Sequence, residues 1–175
     1  MPAEVKRIKN EIGVALLKTL EPGGALNNRK VGMVGWFENS TYTESDTGRV
    51  TPVAEVAAQN EFGDPPKNQP PRPFMRSTIT KRQRYWQKVA KQGVLDVAQG
   101  KTKDSEHVLE LIGLVAASDI RDSIAKLQNP PLSPRTIDAR IAKKKKGRIL
   151  FASVTKPLIE SGIMMKTLTN VVADE

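Results

Sequence analysis

His107 is the single histidine of a 175-residue chain that has no cysteine. Imidazole can act as a base, but acid–base work needs a partner within hydrogen-bond reach. The residues around His107 fall in the first turn of an expected helix and show no serine or cysteine nucleophile pattern, so it reads as an exposed helix residue. Gly100-Lys101-Thr102 has the closing residues of a phosphate loop. That motif also needs a glycine five residues earlier and a preceding strand; this sequence has Leu95 and a helical pattern there. Glu160-Ser161-Gly162 lacks the glycine two residues before serine that a nucleophile elbow requires, because Ile159 occupies that position. Asp119 and Asp122 share a helix face, with Arg121 and Lys126 as basic neighbours, and read as a solvated face rather than metal ligands. Without cysteine there is no disulfide, thiolate zinc site or catalytic thiol. The sequence therefore nominates no catalytic, metal-ligating or cofactor-binding residue, and the chain is expected not to be an enzyme.

Charge is the other chemistry on offer. The net charge is +9, and it is unevenly placed. Residues 71–100 carry seven basic residues against one acid, and residues 129–175 nine against four, while the rest of the chain is close to balanced. Lys143, Lys144, Lys145, Lys146 and Arg148 are the densest cluster, suited to phosphates or to an acidic partner. No aromatic is interleaved with them for base stacking. A basic nucleic-acid-binding module is thus one reading, with incidental DNA proximity its weaker form and a solvated loop its bland form.

The elements that must position these residues follow from periodicity and breakers. Val5, Ile8, Ile12, Leu16 and Leu20 recur at helical spacing, giving an N-terminal helix over 3–20 that stops at Glu21-Pro22-Gly23-Gly24. Val31 to Phe37 is short, apolar and β-prone, and the polar run after it, with Asp46-Thr47-Gly48, suits a hairpin tip. Val53 to Phe62 is compatible with a helix. Five prolines between 63 and 73 predict a stiff, extended arm. Two long helices, 77–98 and 104–128, follow; Asp104 is the N-cap of the second and Asn129-Pro130-Pro131 its stop. Ser133-Pro134 opens a short helix through Ala142, a basic loop covers 143–156, and Thr167 to Val172 is a closing strand. The sum is a single α+β domain: a small antiparallel sheet packed with two long helices, plus the arm and the loop. Only 38% of residues are hydrophobic and 5% aromatic, so the core is modest and assembly is expected to add stability. No signal-peptide core or membrane-length apolar run is present, and the expected setting is soluble, cytoplasmic production.

Two groups of residues are familiar together. The first is Asn60-Glu61-Phe62-Gly63 followed by Pro70-Pro71-Arg72-Pro73-Phe74-Met75-Arg76. The second is Pro130-Pro131-Leu132-Ser133-Pro134-Arg135-Thr136, then Lys156-Pro157-Leu158-Ile159-Glu160-Ser161-Gly162. Their order and spacing over roughly 31–172 resemble the tailed-bacteriophage minor virion proteins of the virion morphogenesis, neck or tail-completion type. Lys166-Thr167-Leu168 departs from that pattern, as does the lysine run. The resemblance implies a structural protein of the virion: a subunit of a homo-oligomeric ring at the head–tail junction or upper tail, made in the host bacterial cytoplasm. Its partners there are a connector, tail terminator or tail tube, and it uses no cofactor. Pro71, Arg72, Pro73, Phe74, Arg76 and Trp86 are the expected interface residues, since stiff segments dock with little ordering and arginine and aromatic side chains anchor interfaces. The competing expectation for Phe74 is burial in its own core.

Overall fold

The computed structural model describes residues 30–37, 40–43, 50–146 and 153–174; the expected N-terminal helix, Asp46-Thr47-Gly48 and Arg148 lie outside them. Among the described residues the order is β1 (Lys30–Gly35), β2 (Thr41–Thr43), β3 (Val50–Pro52), α1 (Val53–Phe62), a 3-10 turn (Pro65–Lys67), α2 (Met75–Ala98), α3 (Ser105–Lys126), α4 (Pro134–Lys145), α5 (Ile163–Thr167) and β4 (Thr169–Asp174). The class is α+β, as expected. The strands form two ribbons rather than one sheet: β1 pairs with β4, and β2 pairs antiparallel with β3, with Tyr42 opposite Thr51.

Helix ends sit where the sequence places its caps. Asp104 accepts the His107 backbone N–H at 3.1 Å, and Ser133 accepts that of Thr136 at 3.2 Å with Pro134 leading α4. Gly100 takes a positive φ of 68° while Lys101 donates back to Asp96. Gly100-Lys101-Thr102 is therefore a helix-ending turn. α4 runs on through Lys145, so the expected basic loop 143–156 begins as helix. The physical reason is electrostatic as well as local: cations in a last turn meet the negative end of the helix dipole.

Where one domain is expected, the chain groups into two compact units. The first comprises the described residues 30–34, 83–116 and 170–174. Its core holds Val97, Ala98, Val108 and Ala116. Here α2 and α3 approach so closely that a Cβ on Gly93 would stand 2.5 Å from Val108 Cγ1. Alanine at 93 gains about 1 kcal/mol of helix propensity, yet Val108 is buried and stiff at χ1, and overpacking costs about 1–3 kcal/mol. Gly93→Ala is expected to lower the unfolding free energy by a net of up to about 2 kcal/mol, read as a lower urea midpoint at unchanged m-value; a raised midpoint would show that the helices can separate freely.

The second unit comprises the described residues 35–37, 40–43, 50–82, 117–146 and 153–169. Phe74, Ile124, Met164, Leu168 and Val53 are its largest fully buried side chains. Trp36 meets Phe74 edge-on at 6.0 Å, and its indole N–H donates to the Met164 carbonyl at 2.8 Å, which lets a polar aromatic edge sit inside without an unpaired donor. No helix among the described residues is long and apolar enough to cross a membrane.

Candidate interface

The proline-rich segment is not an extended arm. Gly63 (φ 83°) turns the chain out of α1, and a Cβ there would meet the Gln69 carbonyl at 2.9 Å. Asp64 and Gln69 then exchange backbone hydrogen bonds at 2.9 and 3.0 Å, closing a small loop around Pro65–Lys67 with left-handed Asn68 at its tip. Gln69 donates to the Asn60 side chain at 3.0 Å, and Arg72 N–H to the Asn60 carbonyl at 2.7 Å. The expectation failed because the prolines fill positions that need no donor, while Lys67, Asn68 and Gln69 supply the N–H groups that fold the loop back.

The loop is pinned to α2 by a buried carboxylate. Glu61, 4% exposed, accepts the backbone N–H groups of Met75 at 2.9 Å and Arg76 at 3.0 Å, the first two residues of α2. It also accepts Arg76 Nε at 2.9 Å. A helix N-terminus leaves its first amides unpaired and positive, and Glu61 satisfies two of them from outside the helix. Arg76 in turn lies over the Phe62 ring, 4.6 Å from its centroid, a cation–π stack. Phe62 is 64% exposed. Pro71, Pro73 and Arg76 are exposed as well.

Two expected anchors are corrected. Arg72 is buried and donates to the carbonyls of Pro130 at 2.9 Å and Pro131 at 3.2 Å, with burial pushing its guanidinium below the ordinary range. Phe74 is 1% exposed, and its carbonyl accepts Ser123 Oγ at 3.1 Å. Neither side chain is available to a partner, because the chain's own carbonyls and core already hold them. Trp86 is half-buried in α2. The surface the segment does offer is Phe62 with Arg76, Pro71 and Pro73.

Comparison with family profiles, curated proteins and solved structures finds no match to this chain. The geometry nevertheless joins what the sequence keeps apart. Arg72 ties Arg72-Pro73-Phe74 to Pro130-Pro131, and Arg140 ties α4 to the Lys156–Gly162 segment. Arg140, 6% exposed, donates to the carbonyls of Lys156 at 2.7 Å, Ser153 at 3.1 Å, Pro157 at 3.2 Å and Ile159 at 3.4 Å. Burial lowers its pKa, and Glu160 opposes that. Sequence reasoning missed Arg140 and Glu61 as organisers. Arg140 is one of several charged residues of α4, among them Arg135 and Lys143, and only the fold reveals which of them turns inward.

The basic cluster is partly neutralised: Lys143 pairs with Glu160 at 2.8 Å, whereas Lys144, Lys145 and Lys146 are exposed. Asp119 pairs with Arg82 at 2.9 Å rather than with its neighbour Arg121, which donates to the carbonyls of Met165 and Leu168. Asp122 does pair with Lys126, at 3.1 Å. His107 is exposed, 3.6 Å from Glu110. No metal-binding group of three or more ligands occurs among the described residues.

Proposed function

We propose that this chain is a structural protein of a tailed-bacteriophage particle, a subunit of a homo-oligomeric ring at the neck or at tail completion. The observation that carries the reading is that the motif residues behind the resemblance, scattered between 60 and 162, interlock in one unit through Glu61, Arg72 and Arg140. The partners are the connector, tail terminator or tail tube, and the location is the virion, after production in the host cytoplasm. The test is electron microscopy of particles made without the protein: heads and tails that fail to join, or tails with faulty ends, are expected, and normal infectious particles refute the reading.

Phe62 is the anchor by which such a subunit meets a neighbour. A ring this exposed, held rigid by a stacked guanidinium, has the character of an interface hot spot, where truncation costs about 2 kcal/mol or more. Phe62→Asp is therefore expected to weaken incorporation into particles by roughly 30-fold, with a thermal midpoint close to wild type. Particles that retain the variant at full occupancy would rule out this anchor.

A further inference from the structure

We infer that the exposed face of α2 carrying Arg84, Gln87, Lys88 and Lys91 is a binding site for the phosphate backbone of double-stranded nucleic acid. The four residues lie at helical spacing on one side of α2, and all are exposed. The apolar residues Trp86, Val89, Ala90, Gly93 and Val97 lie on the other side. Elsewhere many cations are engaged: Lys30 pairs with Glu106, Lys67 with Asp64, Arg76 with Glu61, Arg82 with Asp119 and Lys143 with Glu160, and Arg72, Arg121 and Arg140 donate to backbone carbonyls. Arg84, Lys88 and Lys91 have none among the described residues. The only carboxylate on α2 is Asp96, which accepts from Gln92 at 2.9 Å.

The composition of the face selects the ligand. A protein partner is gripped by aromatic and apolar anchors at a desolvated centre, and this face has no apolar member. Lysine, arginine and glutamine are instead the side chains that contact phosphate and sugar. The three cations, Arg84 to Lys91, are spread over seven helical rises, about 10 Å at 1.5 Å per residue. One DNA strand offers a phosphate about every 3.4 Å of axis, so flexible side chains of this length can each find one. The charges of this face meet phosphates, which carry no sequence information, so binding is expected to be independent of sequence. This inference does not depend on the assembly role.

The test is fluorescence anisotropy of the full chain with a labelled duplex of about 30 base pairs in a salt series starting near 20 mM, where counterion release makes the affinity salt-dependent. Wild type is expected to bind with a slope of log affinity against log salt of about −3, three neutralised phosphates at roughly 0.9 each. The R84Q/K88Q/K91Q variant, folded by circular dichroism, is expected to lose at least about tenfold in affinity at the lowest salt and nearly all of that slope. K144Q/K145Q/K146Q is the control and should keep most of both. Failure of wild type to bind at the lowest salt overturns the inference. So does a folded α2 variant with the wild-type slope, or a loss in the control as large as in the α2 variant. Polyaspartate displacing the duplex at equal charge concentration also overturns it, in favour of an acidic protein partner.

Discussion

Arg140→Ala is expected to destabilise the protein by about 3–5 kcal/mol, the range for removing one side of a buried charged network. The segment the arginine holds, from Ser153 to Glu160, is bends and turns without helix or strand, so its carbonyls have no ladder to satisfy them. Four of them converge on the guanidinium. Alanine removes this donor from all four, of which the Lys156 carbonyl keeps another, the Ile159 N–H at 3.3 Å; each buried unmet group costs about 1–3 kcal/mol where water cannot reach it. Part of the gain is already offset in the native state, because Arg140 Nε is buried without a partner among the described residues, while the Glu160 carboxylate 3.9 Å away favours the cation. The lysine variant separates charge from geometry. Arg140→Lys keeps the cation but places it at one point instead of across a planar fork, and should still cost about 2 kcal/mol, since a single ammonium cannot serve all four carbonyls. Urea unfolding measures both. Hydrogen exchange should show residues 153–162 opening in the lysine variant while α3 stays protected. An alanine variant within about 1 kcal/mol of wild type would mean that solvent replaces the guanidinium freely.

Much of the fold is written locally. Asp104, Ser133-Pro134 and Gly100 mark helix ends by the chemistry of unpaired amides and left-handed backbone, α2 and α3 follow from apolar periodicity, and α4 follows from its Ser133-Pro134 start. Residue type alone does not say which surface a buried group meets. Arg72 and Phe74 carry the composition of an interface anchor, and burial is what that composition signals; the chain supplies the burying surface itself, through Pro130, Pro131 and Trp36. The prolines of 63–73 fix φ without fixing direction, so stiffness was legible and the fold-back was not. Arg140 sits between Ala139 and Ile141, and a charged residue there reads as solvent-facing unless the fold shows it turned inward. The signal available was indirect: a proline-containing segment without periodicity, 153–160, needs a donor from elsewhere for its carbonyls. Glu61 had a better sign, an acidic residue ending a helix shortly before another begins, but identifying its task needs the distance that the loop closes.

Glu61→Ala, the second large effect, is expected to cost about 3–4 kcal/mol, and most of it should come from the α2 amides rather than from the ion pair with Arg76. Two backbone N–H groups bonded to a buried carboxylate contribute about 1.5–3 kcal/mol each as charge-assisted bonds, before the cost of burying the carboxylate is subtracted. The Arg76 side chain is 56% exposed, and an ion pair that open to water contributes about 0.2–1 kcal/mol. Its stack on Phe62 adds roughly another 0.5–1 kcal/mol that does not involve Glu61. Arg76→Ala alone should therefore cost only about 1–2 kcal/mol. In a double-mutant cycle the Glu61–Arg76 coupling should not exceed about 1 kcal/mol, leaving the larger share of the Glu61 effect in the single variant. Glu61→Gln sharpens the distinction: the amide keeps one acceptor but turns an NH2 toward a backbone N–H, so it should recover only part of the loss. A coupling energy as large as the whole Glu61→Ala effect would move the stabilisation from the helix end to the ion pair. Glu61 would then be a partner for Arg76 first and a cap for α2 only incidentally.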